Sequence, residues 1–162
     1  MKEPVNFTRD PAAGEILRGW WISLQNRRAD RADLCRCRGE SDVALVPSFY
    51  RLVSALREPG YNPSLHRLAT VAGVLAHVRR DADDAMGRAM SRSHGAGPVL
   101  SEARFRRLLA AEDRQDLYSQ LVRCVRLLGN SAPLLDLANA AYWWNEAVRK
   151  RWAYDYYSDV RS

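Results

Sequence analysis

Apolar residues recur at three- and four-residue intervals along most of the chain, the spacing of helices with one buried face. From Glu15 the set Ile16, Leu17, Trp20, Trp21 and Leu24 marks a first helix, and the two tryptophans fall inside its apolar stripe as core. PSFYRLVSAL gives a second, with Phe49, Leu52, Val53 and Leu56 on one stripe, Pro47 at its start and Ser48 as its cap. A third is predicted from Leu65 to Val78, with Leu65, Leu68, Ala69, Ala72, Leu75 and Val78 inward. Residues 101–128 do not fit one helix: Phe105, Leu108 and Leu109 cluster on one side, whereas Leu117, Leu121, Val125 and Leu128 fall nearly opposite. Two helices broken near Ala110–Asp113 are predicted, with Asp113 capping the second and Ser101 the first. Leu134, Leu137, Ala138, Ala141, Trp144 and Val148 describe one last helix. No stretch of useful length alternates with period two, so the fold class is all-α.

The breaks set the organisation. Pro4, Pro11 and Gly14 among polar residues predict a loose arm over 1–14. NRRADRADLCRCRGESD has too few apolar anchors for a buried helix and predicts a loop or short helix with a basic rim. DADDAMGRAM followed by SRSHGAGPVL changes character to acidic and then Ser- and Gly-rich. The expectation is a helical bundle of two packed lobes, 15–90 and 101–162, joined by a linker at 91–100. GNSAP stops the helix before it, with Gly129 or Asn130 able to take the left-handed conformation.

With 162 residues, one compact unit with a real core is possible. Lys+Arg 25 against Asp+Glu 19 gives a formal charge of +6, and lysine occurs only at Lys2 and Lys150. Arginine stays charged and grips phosphate with a fork of donors, so the balance fits a polyanion, although a GC-rich genome yields the same composition. Three cysteines, Cys35, Cys37 and Cys124, with no signal peptide predict a cytoplasmic protein without disulfides. Cys35 and Cys37 lack a second pair, and His66, His77 and His94 show no ligand spacing, so no metal and no cofactor are expected. His77 reads as a surface or interhelical residue. No apolar run reaches the ~20 residues that span a bilayer.

Function then rests on the arginines. Arg107 points away from the first apolar stripe of the central segment, and Arg123 and Arg126 point together away from the second. Arg36 and Arg38 add to them from the polar segment, as does Arg104. Arg149, Lys150 and Arg151 are bracketed by Trp143, Trp144, Trp152, Tyr154, Tyr156 and Tyr157, a mixture suited to single-stranded nucleic acid, while the rings also serve to close the bundle. An enzyme is disfavoured: Asp81, Asp83 and Asp84 form the densest carboxylate cluster, without a partner at catalytic or metal spacing, and read as a solvated helix end. A helix-turn-helix regulator lacks its base-reading second helix. A basic scaffold that docks on protein carboxylates is the other alternative, distinguished by a much weaker salt dependence.

From the Trp20 helix to Tyr157 the chain resembles the CasB family, the small subunit of the type I-E CRISPR Cascade complex. The resemblance is carried by ADLCRCR followed by PSFYRLV, the MGRAM turn at Met86–Met90, SEARF…LL…DR at Ser101–Arg114, and WW…RWAYDYY. It implies a non-catalytic helical subunit of two lobes in antiviral defence, present as two copies. It also implies contact with guide RNA and target DNA, support of the displaced non-target strand of the R-loop, and docking on the backbone and large subunits. By position it assigns nucleic-acid contact to Arg36, Arg104, Arg114 and Arg123. The family often continues basic after the last aromatic pair, where Asn145, Glu146 and Ala147 stand here, which moves that contact to Arg149–Arg151. Ser64 replaces a basic residue after the N-P turn of some relatives, with Arg67 a substitute one turn later. Guide–target pairing reads sequence in such complexes, so a supporting protein needs only backbone contacts.

Overall fold

The computed structural model describes residues 4–160, and of residues 94, 159 and 160 the backbone alone. Ten helices in order make the described chain: α1 (Pro11–Gln25), α2 (Arg28–Cys35), α3 (Glu40–Val43), α4 (Pro47–Arg57), α5 (Leu65–Leu75), α6 (Met86–Ser91), α7 (Glu102–Leu109), α8 (Arg114–Leu127), α9 (Leu134–Trp143) and α10 (Glu146–Val160). The fold is all-α. Two-residue strands add a parallel pair, Arg80–Asp81 with Ser131–Ala132, and an antiparallel pair, Ser93–His94 with Gly97–Pro98. They tie loops together rather than form a layer.

The centre is α5, buried without interruption from Leu68 to Leu75, the mark of a helix enclosed on every side. It packs on α9, α3, α8, α4 and α2. Trp20 and Trp21 are core, as predicted, and their indole N–H groups donate to the carbonyls of Ser48 and Val78 at 2.9 Å each. The α7/α8 break also falls where predicted. The Ser101 hydroxyl accepts from the Arg104 N–H and the Asp113 carboxylate from the Asp116 N–H, each meeting one of the unpaired donors of a first turn. Both Gly129 and Asn130 take positive φ, 72° and 62°.

Several expectations need correction. Residues 4–14 are not a loose arm: Val5 and Phe7 are buried, α1 already begins at Pro11, and the Phe7 N–H donates to Asn139 Oδ1. Residues 1–3, like 161 and 162, lie outside the described residues. The break at 91–100 does not separate two cores, since α6 packs against α10 and α5 against α9 within one buried cluster. Val46, not Ser48, precedes the first turn of α4, and Ser48 is buried inside it. The third helix ends at Leu75, and Met86–Met90 is helix, not turn. Asp81 and Asp84 are not a solvated helix end. Asp81 accepts from the Leu134 N–H and pairs with Arg18, and Asp84 accepts from the Ala85 N–H and pairs with Arg92. The last helix is two, because Trp144 takes φ 29° to send its indole N–H to the Ala111 carbonyl, and Asn145 Oδ1 accepts the Val148 N–H as α10 starts.

Candidate nucleic-acid interface

Three cavities lined by arginine run along α7, α8 and α2. Arg104 and Arg107 on α7 and Arg123 on α8 line the first, with Leu100, Leu108 and Cys124 as its apolar wall. Arg123 passes into the second, where it meets Arg38 and Arg126 beside Gln115 and Ser119. Arg28, Arg31, Arg36 and Arg79 line the third. Cys35 lines the third as well: burial raises its thiol pKa although Arg31, Arg79 and Arg36 of that cavity and Arg126 of the second all act on it in the opposite sense. These side chains make up an arginine band: the first two cavities share Arg123, and α8, which carries it, packs against both α7 and α3. Gln115 fastens that segment by donating to the Arg38 carbonyl at 2.6 Å.

Of the band residues, Arg36 alone has a carboxylate partner among the described residues, Asp33 one turn before it. Arg31 donates to the Ala76 carbonyl at 2.9 Å, and burial lowers its pKa. Guanidiniums without acids keep their full charge toward an outside anion. Arg28, Arg31 and Arg79 escaped the sequence reading of the site. Arg28 and Arg31 were visible there only as a basic rim, and Arg79 follows α5, far along the chain from the others. His77 lies beneath this region as an interhelical rather than a surface residue, only 6% exposed, with burial first and then Arg126 and Arg31 lowering its pKa to about 4.

The other expected contact residues stand elsewhere and are engaged within the protein. Arg114 Nη1 and Nη2 donate to the carbonyls of Ala141 and Tyr142 at 2.6 and 2.7 Å, closing the C-terminal end of α9, and burial lowers its pKa. Arg67 lies over the Trp143 ring at 5.4 Å and the Tyr142 ring at 6.0 Å. Arg149 sits over Trp144 at 5.7 Å and donates to the Ala111 carbonyl. Lys150 pairs with Glu146, and Arg151 with Asp136. Trp152 and Tyr156 are core, Tyr156 stacked on Phe105 with ring centroids 4.0 Å apart, while Tyr154 is exposed.

No helix among the described residues is long and apolar enough to cross a membrane, and no group of acidic, His or Cys residues among them has the arrangement of a metal site. Burial pushes the Cys124 thiol up to about 12 and the Cys37 thiol up to about 11, which leaves both protonated near neutral pH and poor nucleophiles.

By class this is an all-α protein with an arginine-lined surface. Residues 30–157 match the model of the CRISPR-associated protein Cse2 family. The chain therefore belongs to that family, the small subunit of the type I-E Cascade complex. A chain of the crystal structure of E. coli Cascade bound to a PAM-containing dsDNA target is similar in fold, with TM-score 0.69 and 19% identity over 91% of this chain and 95% of that one. None of the curated proteins matches.

Proposed function

We propose that the protein is a non-catalytic subunit that holds nucleic acid by its phosphate backbone through the band Arg104, Arg107, Arg123, Arg126, Arg38, Arg28, Arg31 and Arg79. Support comes from one observation above all, that these guanidiniums line three cavities, two of which share Arg123, with no carboxylate paired to them among the described residues. A surface built for protein carboxylates would serve equally for charge, but family membership favours nucleic acid. The strand of choice is the displaced non-target strand of the R-loop, with guide RNA and target DNA as neighbours. A second copy and the backbone and large subunits complete the groove. Arg67, Arg114, Arg149, Lys150 and Arg151 drop out of the phosphate band on this reading, since none of them lines the three arginine cavities.

Anisotropy of labelled single strand, duplex and RNA of equal length, each across a salt series, tests this. The double variant Arg123→Ala/Arg126→Ala should weaken every sequence alike and lower the slope of log affinity against log salt by roughly one unit per lost contact. A change in sequence preference, or salt-indifferent binding, would sink the backbone-clamp reading. Incubation with the same strands and magnesium should leave them uncut.

A further inference from the structure

Away from the band, the segment 4–10 meets α9 and the start of α10 around Trp143. Two adjoining cavities of about 410 and 670 Å³ share the Trp143 indole, Asn6 and Arg9, and each is of a size that takes a small organic ligand. Asn139, Asn145 and Arg151 also line the smaller one.

The polar groups here are sorted by sign. Asn6 Oδ1 accepts from the Thr8 N–H, the Thr8 hydroxyl and the Arg9 N–H; Asn139 Oδ1 from the Phe7 N–H at 3.1 Å; Asn145 Oδ1 from the Val148 N–H at 3.0 Å. Because a backbone N–H can be met only by the amide oxygen, these bonds fix the orientation of all three side chains. Each Nδ2 makes no hydrogen bond to the described residues, and that of Asn139 still reaches solvent although the residue is only 5% exposed. The one carboxylate at the rim, Asp10, is occupied by the Ala12 and Ala13 N–H groups and the Tyr61 hydroxyl. Arg9 is exposed without a carboxylate partner among the described residues, and Arg151 adds a guanidinium shared with Asp136. The three amide oxygens and Asp10 are engaged while amide and guanidinium donors are presented, so the complementary ligand is rich in acceptor oxygens and carries negative charge. The half-buried indole specifies more. Arg67, which lines neither cavity, lies over the ring at 5.4 Å, and the indole N–H is fixed on the Val5 carbonyl at 3.0 Å. A pre-set flat ring among donors suits a nucleobase and its carbonyls, whereas a carboxylate side chain has no use for it.

We propose that this cleft is a second site for single-stranded nucleic acid, taking one nucleotide with its base against Trp143 and its phosphate against Arg9. Asn6, Thr8 and Arg9 precede the residues 30–157 that match the family, whereas Asn139, Trp143, Asn145 and Arg151 lie within them. The site does not rest on the arginine band, and the two fail separately.

Nitrogen–proton NMR of the full chain follows the side-chain amides of Asn6, Asn139 and Asn145 and the Trp143 indole during titration with 5′-UMP, single-stranded oligothymidylate and hexaglutamate. The nucleotide and the oligonucleotide should shift all four signals, and Arg123→Ala/Arg126→Ala should leave those shifts in place. Arg9→Ala, which alters only an exposed side chain, should weaken binding at this site by at least about tenfold. Trp143→Leu should weaken it by about ten- to a hundredfold; where that variant does not fold, Arg9→Ala alone decides. Absence of shifts with both nucleic-acid probes overturns the proposal. Equal shifts with hexaglutamate, or loss of the shifts in the band variant, overturns it as well.

Discussion

Tyr118 carries a buried hydroxyl that finds no partner among the described residues, and its ring end presses on Gly73 of α5. A β-carbon at position 73 would occupy the place of that hydroxyl. The pair makes two opposite predictions in urea denaturation. Gly73→Ala should cost about 1–3 kcal/mol by overpacking, while Tyr118→Phe, which removes a desolvated group, should be neutral or stabilising by up to about 1 kcal/mol. His77 gives a pH prediction. Its pKa of about 4 in the folded protein lies below the ordinary 6.5, so between these values the unfolded chain binds more protons than the folded one. Its contribution to stability is complete above ~6.5 and is lost as pH falls toward ~4. The urea midpoint should drop across that window, and His77→Gln should flatten this part of the profile. Arg126→Ala, by removing a neighbouring positive charge, should move the His77 titration upward, as followed by NMR.

At the scale of elements, the helix ends explain both the successes and the failures of the sequence reading. Ser101 and Asp113 are local signals: cap and capped N–H lie three residues apart, so the α7/α8 break is written where it happens. The α9/α10 break depends on a carbonyl of Ala111, 33 residues before the Trp144 indole that bonds it, and periodicity cannot report such a partner. Arg114 is a similar case. Its position invited a phosphate role, but it stands at the start of α8 with its fork on the last carbonyls of α9. Arg114→Ala should therefore cost about 1.5–3 kcal/mol in thermal or urea unfolding while leaving the salt slope of nucleic-acid binding unchanged. Arg114→Lys should rescue little, since one ammonium does not reproduce two parallel bonds. Gly87 makes the contact between α6 and α10: a β-carbon there would lie 2.6 Å from the Trp152 carbonyl oxygen. Gly87→Ala should push the helices apart and lower stability by about 1–3 kcal/mol.

Across the whole molecule, the helices and the core were legible because periodicity is a local record of burial, and the site was legible only in part. Arg123 and Arg126 could be placed on one outer face from their spacing alone. That Arg28, Arg31 and Arg79 join them follows from packing α2 against the end of α5, a tertiary fact with no local trace. The same holds for residues 4–10, which looked like a tail until Val5 and Phe7 were seen inside. This bears on what the charge of +6 does. If net charge alone attracted nucleic acid, any two arginines would be equivalent, because the long-range field depends on the total. Phosphate contact releases counterions only where a guanidinium meets the backbone, so local placement decides the salt slope. Arg57→Ala/Arg88→Ala removes two exposed charges that line none of the three arginine cavities. It leaves the same net charge as Arg123→Ala/Arg126→Ala. Measured side by side, the first pair should keep the slope of the unmodified protein, with at most a small loss of affinity at low salt, and the second should lose about two units. Equal slopes for the two variants would mean that the protein attracts nucleic acid as a diffuse cation, and the band would lose its role.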